Sequence, residues 1–281
     1  MSAPLPPVID VDALRALPGE VVVADVRWYL DGRSGRAAHA AGHLPGAVWV
    51  DVDTDLSAPP DPAGARHPLP DPDTFAAALG RLGIGDGATV VAYDDAGGAF
   101  AARLVWLLRR IGTPAALLDG GPAAWPGPLE TGPVEPRPAV RTPVPWPPGA
   151  IRTADDVAAA VRGPGGPVVL DARAADRFSG ASVLPTDVRS GHVPGARSAP
   201  WAGNLGSDGR FVPAADLRER YAGLGIRPGT DVVVYCGSGV TACHDLLALE
   251  LAGISGALYP GSWSEWSADP ARPVATGEDA P

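Results

Sequence analysis

Cysteine is scarce in this chain: two among 281 residues, Cys236 and Cys243. That is too few for a disulfide framework. On one continuous helix the two would sit two turns apart, beyond bridging. No Cys-x-x-Cys pair and no histidine-rich cluster offers metal ligands, so neither a metal nor a cofactor is expected. Long apolar runs are missing too. No stretch nears the roughly 18 residues of a membrane span. The N-terminal Met-Ser-Ala-Pro-Leu-Pro-Pro lacks the basic start and apolar core of a signal peptide. A cytoplasmic chain with no membrane partner is expected. Charge is thin at 19% of residues, with a net value of −10, and the Lys+Arg total of 22 is all arginine. No basic stripe exists to release counterions from phosphates, which argues against nucleic acid and against anionic membranes.

What the chain has is 46% hydrophobic residues with 36 glycines and 33 prolines, ample for packed cores broken by many turns, at a length that suits one or two domains. Four segments occur twice, in the same order and at similar offsets. Val-Val-Val-Ala-Asp-Val-Arg at 21–27 is matched by Val-Val-Leu-Asp-Ala-Arg at 168–173. Gly-His-Leu-Pro-Gly-Ala at 42–47 is matched by Gly-His-Val-Pro-Gly-Ala at 191–196. Leu-Gly-Ile at 82–84, leading to Val-Val-Ala-Tyr at 90–93, is matched by 224–226 leading to 232–235; segment 120–125 corresponds to 261–266. Chance rarely keeps such an order, so the chain reads as two copies of one domain. In each copy β-branched runs alternate with helical patterns, clearest at 101–111 and 242–251, shorter at 75–82 and 214–224. Alternation of this kind implies a mainly parallel sheet flanked by helices, an α/β fold. Between the copies, 131–150 holds seven prolines and reads as an ordered strap with Trp146 as its anchor. The tail from about Pro270 reads as frayed.

The stretch that carries chemistry is Cys-Gly-Ser-Gly-Val-Thr at 236–241, between the strand pattern 232–235 and the helix pattern 242–251. A cysteine there faces the positive end of a helix dipole and a ring of free main-chain N–H groups. Both favour the thiolate, which is the nucleophile. The glycines let successive N–H groups converge on one anion. In the other copy the matching position is Asp94, so only one copy holds a nucleophile.

These features resemble the two-domain rhodanese family of sulfurtransferases, over nearly the whole chain. The resemblance rests on the Asp-x-Arg strand ends, both Gly-His-x-Pro-Gly-Ala segments, Gly-Ser-Trp-Ser-Glu-Trp at 261–266 and the N-terminal copy without cysteine. It implies tandem rhodanese-like domains: an inactive copy at 1–130, a Pro-rich linker at 131–150 and a catalytic copy at 151–281, with the active site between the copies. Segment 236–244, Cys-Gly-Ser-Gly-Val-Thr-Ala-Cys-His, is similar to the loop of the 3-mercaptopyruvate sulfurtransferases. The thiosulfate-preferring branch usually has charged residues where Gly237 and Ser238 stand.

The resemblance implies that the Cys236 thiolate takes sulfur from 3-mercaptopyruvate as a persulfide, releases pyruvate, and passes the sulfur to a small thiol, a reduced thioredoxin or cyanide. It also implies a proton-handling set of Ser238, His67 and Asp53. The main chain of Gly237, Gly239, Val240 and Thr241 is expected to line the substrate. Arg177 matches a family arginine and suits a keto-acid carboxylate. The second family arginine is absent, because Thr186 stands at its place in a loop one residue shorter; Arg189 is expected to substitute. Other singled-out residues read as structural: His43 and His192 pin equivalent turns, Arg27 and Arg173 pair with carboxylates, and Cys243 is a buried helix residue. Trp263 and Trp266 suit either a cleft wall or a core.

Three rivals stand beside this reading. A thiosulfate:cyanide sulfurtransferase would want more positive charge at 237 and 238. A cysteine phosphatase needs arginine six residues after the cysteine, where this chain has Ala242. A non-catalytic sulfur carrier or docking module would bind sulfur without turnover.

Overall fold

β-branched side chains suit a pleated surface buried on both faces, and the valine runs at 21–23 and 232–234 both lie in interior strands. The computed structural model describes residues 5–162 and 165–277. They form two units: the first runs to Ala58 and resumes over Leu69–Pro147, and the second takes Pro59–Pro68 and the chain from Pro148.

In the first unit the order is β1 (Val8–Ile9), α1 (Val11–Ala16), β2 (Val21–Asp25), α2 (Gly35–Ala41), β3 (Val48–Trp49), α3 (Pro72–Arg81), β4 (Thr89–Tyr93), α4 (Ala101–Arg110) and β5 (Ala115–Leu118). The sheet runs β1-β5-β4-β2-β3, and all its pairings are parallel. Asp71 starts α3 by accepting from the N–H groups of Asp73 and Thr74, with Pro72 in the first turn where its missing N–H costs nothing.

The second unit repeats this. Its elements are α5 (Ala154–Ala160), β6 (Val168–Asp171), α6 (Ala175–Ser179), β7 (Arg197–Ser198), α7 (Ala214–Gly223), β8 (Val232–Tyr235), α8 (Ala242–Leu251), β9 (Ala257–Leu258) and α9 (Ser262–Ala268). The sheet order is β7-β6-β8-β9, again parallel. Ile151 bridges Leu258 where β1 pairs with β5 in the other unit. Thr153 and Asp156 form a reciprocal capping box at α5.

The duplicated polar residues turn out to be scaffold. Arg27 pairs with Asp25 and donates to Gly42 O at 2.6 Å. Arg173 pairs with Asp171 and donates to Gly191 O at 2.7 Å. Tyr93 and Tyr235 each accept an N–H of the Gly-His-x-Pro-Gly turn through their hydroxyls, from Leu44 and Val193. His192 stacks on Phe178 and bonds its carbonyl, and His43 stacks on His39 and bonds that carbonyl. Burial lowers the pKa of His39 and of His192, favouring the neutral form of each ring.

Residues 59–68, which fall within the 1–130 span, group with the second unit. The 131–150 segment is ordered, and up to Pro147 it lies on the first unit, with Ala139 N–H on Gly80 O, Asp86 N–H on Val140 O, and Trp146, the expected anchor, donating from Nε1 to Pro70 O. One expectation needs revision. The tail is packed rather than frayed as far as Gly277: Trp266 Nε1 donates to Pro273 O, and Gly277 N–H bonds Ser179 O. Residues 278–281 lie outside the described residues. Among the described residues, no helix is long and apolar enough to cross a membrane.

Candidate active site

Cys236 follows the last residue of β8, at the carboxyl end of an interior strand, where ligands bind in open parallel sheets. Its neighbourhood is fixed from two sides. The carbonyls of Cys236 and Gly237 accept N–H bonds from Trp263 and Ser264, in the first turn of α9, both at 3.0 Å. With those carbonyls engaged by α9, Gly239 N–H reaches Cys236 Sγ at 3.1 Å. Gly239 has φ +79°, and a Cβ there would lie 2.6 Å from Pro260 O, so only glycine fits. The main-chain N–H of Cys236 is held by Ser262 Oγ, which also donates to Tyr259 O. Ser262 takes φ +53°, the one non-glycine residue with positive φ among those described. Its hydroxyl bonds justify the strain.

Thr241 and Val240 complete the loop. Cys243 is wholly buried, with its thiol on Gly239 O at 3.5 Å. Behind the loop α8 carries a buried polar knot. Asn204 Nδ2 donates to Asp245 Oδ1 at 2.6 Å, and burial pushes the Asp245 carboxyl up to about 7. His244 stacks on Phe211, its ring centroid 4.4 Å away. Trp263 and Trp266 belong to the core, each with its indole N–H on a carbonyl.

The segment Pro59–Pro68 brings two further side chains to this loop. Gly64 lets it press on α9, since a Cβ there would lie 2.5 Å from Ala268 Cβ. Arg66 N–H then bonds Ser264 Oγ at 3.3 Å. His67 follows, and its Nδ1 lies 2.7 Å from Ser238 Oγ. Two guanidinium groups converge over Gly237: a Cβ there would be 3.1 Å from Arg66 Nη2 and 3.2 Å from Arg177 Nη2. Both arginines bond the buried Asp187, Arg177 at 2.7 Å and Arg66 at 3.4 Å.

Of the residues singled out in the sequence, the structure therefore brings together Cys236, Gly237, Ser238, Gly239, His67 and Arg177. Asp53 lies in the first unit, where its carboxylate accepts from Trp28 Nε1 at 3.0 Å. Arg189 does not join the cluster. Its guanidinium donates to the carbonyls of Trp266, Ser267, Asp269 and Arg272, closing the end of α9. The expected substitution by Arg189 is thus corrected: its donors are used on main-chain oxygens. Arg66 was missed, since a lone arginine in a Pro/Gly-rich stretch carries no pattern; its one signal is adjacency to His67.

The first unit has the same loop in another state. Asp94, at the end of β4, accepts N–H bonds from Ala96, Gly98, Phe100 and Ala101, each at 2.8 Å. The bowl of amides there is filled by its own carboxylate.

A strand-end cysteine whose sulfur accepts a main-chain N–H, on one of two repeated parallel α/β units, beside a His–Ser pair and paired arginines, suits cysteine-dependent group transfer. Comparison with known proteins narrows the class. The rhodanese-like domain family matches residues 10–127 and again 153–269, and the chain belongs to that family, carrying the domain twice. A Pseudomonas aeruginosa protein named "Probable 3-mercaptopyruvate sulfurtransferase" is 46% identical over 275 residues, spanning 95% of this chain and 96% of its own. A Mycobacterium tuberculosis protein named "Putative thiosulfate sulfurtransferase SseB" is 41% identical over 269 residues, spanning 92% and 91%. The crystal structure of the Escherichia coli 3-mercaptopyruvate sulfotransferase SseA superposes with a TM-score of 0.80 at 32% identity, covering 92% of this chain and 99% of that one.

Proposed function

We propose that the chain is a sulfurtransferase that moves sulfur from 3-mercaptopyruvate, through a persulfide on Cys236, to a thiol acceptor, with release of pyruvate. The observation that carries this reading is the His67–Ser238 pair at 2.7 Å, next to a cysteine whose sulfur already accepts a main-chain N–H. The Cys236 thiolate attacks the donor sulfur. The carbon–sulfur bond breaks with its electron pair left on carbon, and the proton from the donor thiol ends on that carbon, giving pyruvate. Ser238 and His67 handle this proton, with hydroxyl and imidazole exchanging it. Asp53 is the carboxylate that the family scheme adds to the pair. The terminal persulfide sulfur is left anionic, and N–H groups from Gly239, Val240 and Thr241 stabilise it without offering a proton. A small thiol, a reduced thioredoxin or cyanide then attacks that sulfur and frees Cys236. The reaction has two half-reactions and ping-pong kinetics, and the cytoplasm supplies the reduced acceptors.

Thiosulfate is the second donor reading, favoured by the name of the M. tuberculosis relative. Two arginines against Asp187 leave one net positive charge over Gly237, which suits a monocarboxylate better than a dianion. The deciding experiment is mass spectrometry of the Cys236 peptide after each donor is added without acceptor. A gain of one sulfur and stoichiometric pyruvate are expected with 3-mercaptopyruvate. Sulfur gained only with thiosulfate would reverse the donor assignment, and an active Cys236→Ser protein would remove the mechanism.

A further inference from the structure

Resting on the proton-handling reading above, we propose that Ser264 is a positioning residue, whose hydroxyl holds the main chain of Arg66 so that the His67 imidazole stays against Ser238.

Two stretches far apart in sequence must meet for that pair to form. Ser264 bonds both, one residue short of the contact on each side. Its N–H donates to Gly237 O at 3.0 Å, and Ser238 follows. Its Oγ accepts the Arg66 N–H at 3.3 Å, and His67 follows. The next residues of the two stretches then meet at 2.7 Å, through His67 Nδ1 and Ser238 Oγ. The hydroxyl proton of Ser264 goes to Gly261 O at 2.9 Å, which leaves the oxygen's lone pairs for the incoming N–H. Ser264 is 4% exposed, so both bonds are shielded from water.

The segment that carries His67 has few other holds on α9. Its turn at 61–65 closes on itself: Gly64 N–H bonds Asp61 O, Asp61 N–H bonds Ala65 O, and Ala65 N–H bonds Asp61 Oδ1. Those bonds fix the shape of the turn and not its place. Gly64 sets how closely the turn approaches, since a Cβ there would lie 3.1 Å from Ser264 O. The Arg66 N–H is the next main-chain donor past the turn, and it reaches α9. The Arg66 guanidinium is tied to Thr186 O at 2.9 Å, but several rotatable bonds separate that tie from the backbone. The cysteine loop is held separately, by Ser262 Oγ on Cys236 N–H and by Trp263 N–H on Cys236 O. Ser264→Ala keeps its own N–H on Gly237 O and loses the acceptor for Arg66. The loop therefore stays in place, and the imidazole loosens.

The consequence falls on one half of the reaction. Sulfur abstraction from 3-mercaptopyruvate needs a proton delivered to carbon. Discharge to cyanide does not: cyanide carbon bonds the outer sulfur, the sulfur–sulfur bond breaks, thiocyanate leaves, and Cys236 returns as the thiolate.

The test is single-turnover kinetics of the full chain, with the half-reactions measured apart. Pyruvate release is followed with 3-mercaptopyruvate and no acceptor, and thiocyanate release after cyanide is added to protein fully loaded with sulfur. For Ser264→Ala the first rate is expected to fall about 10–100-fold, the worth of a small misplacement of a reacting group, while the second stays nearly unchanged. Ser264→Thr keeps a hydroxyl able to bond the carbonyl three residues back and should restore most of the first rate. In a His67→Ala background, Ser264→Ala should slow the first half-reaction by less than about twofold more, because the group it positions is gone. Hydrogen exchange of the wild type should show the Arg66 N–H protected, a measurement independent of how the variants fold. A freely exchanging Arg66 N–H, an unchanged first rate in Ser264→Ala, equal losses in both half-reactions, or losses that add to those of His67→Ala overturn the positioning role and leave the sulfur-transfer reading intact. A wild-type protein that releases no pyruvate overturns that reading and the positioning role with it.

Discussion

His67 Nδ1 lies 2.7 Å from Ser238 Oγ, across 171 positions of sequence. With its proton on Nε2, the imidazole accepts the serine hydroxyl, and in the proposed mechanism the pair acts as one proton relay. Residues that act as one unit lose their effect together. Ser238→Ala and His67→Ala are each expected to lower kcat with 3-mercaptopyruvate by about 10²–10⁴-fold, and the double variant by little more than either. Fully additive losses in a double-mutant cycle would show that the two act independently.

Asp94 accepts four main-chain N–H bonds, from Ala96, Gly98, Phe100 and Ala101. Asp94→Ala leaves them without acceptors at about 1–3 kcal/mol each, discounted for relaxation. A drop of roughly 10 °C in melting temperature is expected, with sulfur transfer per folded molecule preserved. Calorimetry and a rate normalised to folded protein check both halves. A variant as stable as the parent would mean that the loop closes without its carboxylate.

Asp245 gives a pH signature. Its carboxyl is raised to about 7 by burial, whereas in the unfolded chain it titrates near 4. Between these values the folded state binds the extra proton, so this group's contribution to stability falls as pH rises from about 4 to about 7, and is level above that. Asp245→Asn retains an oxygen for Asn204 and removes the titration. Its melting temperature relative to the wild type should improve by a few degrees between pH 5 and pH 8. A difference that stays constant over that range would refute the buried neutral carboxyl.

Arg189 separates a structural arginine from a binding one. Arg189→Ala strips four carbonyls at the end of α9 of their donor. A loss of about 2–3 kcal/mol in stability is expected, with KM for the keto acid within about twofold of the parent. Chemical denaturation and initial rates measure the two effects. A large rise in KM at unchanged stability would return Arg189 to the substrate.

The repeat, the parallel α/β architecture and the strand-end position of Cys236 were legible because they depend on local pattern: valine runs, Gly-punctuated turns and amphipathic helices. Ser238 and His67 were legible only through the family resemblance, since neither position has a distinctive neighbourhood of its own. The arginines were harder. Arg189 sits close in sequence to the missing family arginine, yet its orientation is decided by carbonyls released at the end of α9, about 80 residues later. Arg66 lies in a stretch of Pro, Gly and Ala with no periodicity, and which unit that stretch packs on is a tertiary fact. The tail from Pro270 was misread for the same reason: its composition suggests a loose end, but Trp266 and Ser179 supply partners for it.

Pro59–Pro68 leaves the first repeat, lies with the second, and returns. Gene fission at the proline-rich stretch would therefore leave Cys236, Ser238 and Arg177 on the C-terminal fragment and Arg66 and His67 on the N-terminal one. The N-terminal repeat, though it has no cysteine of its own, remains the genetic owner of that loop, and neither half alone carries every residue of the proposed site.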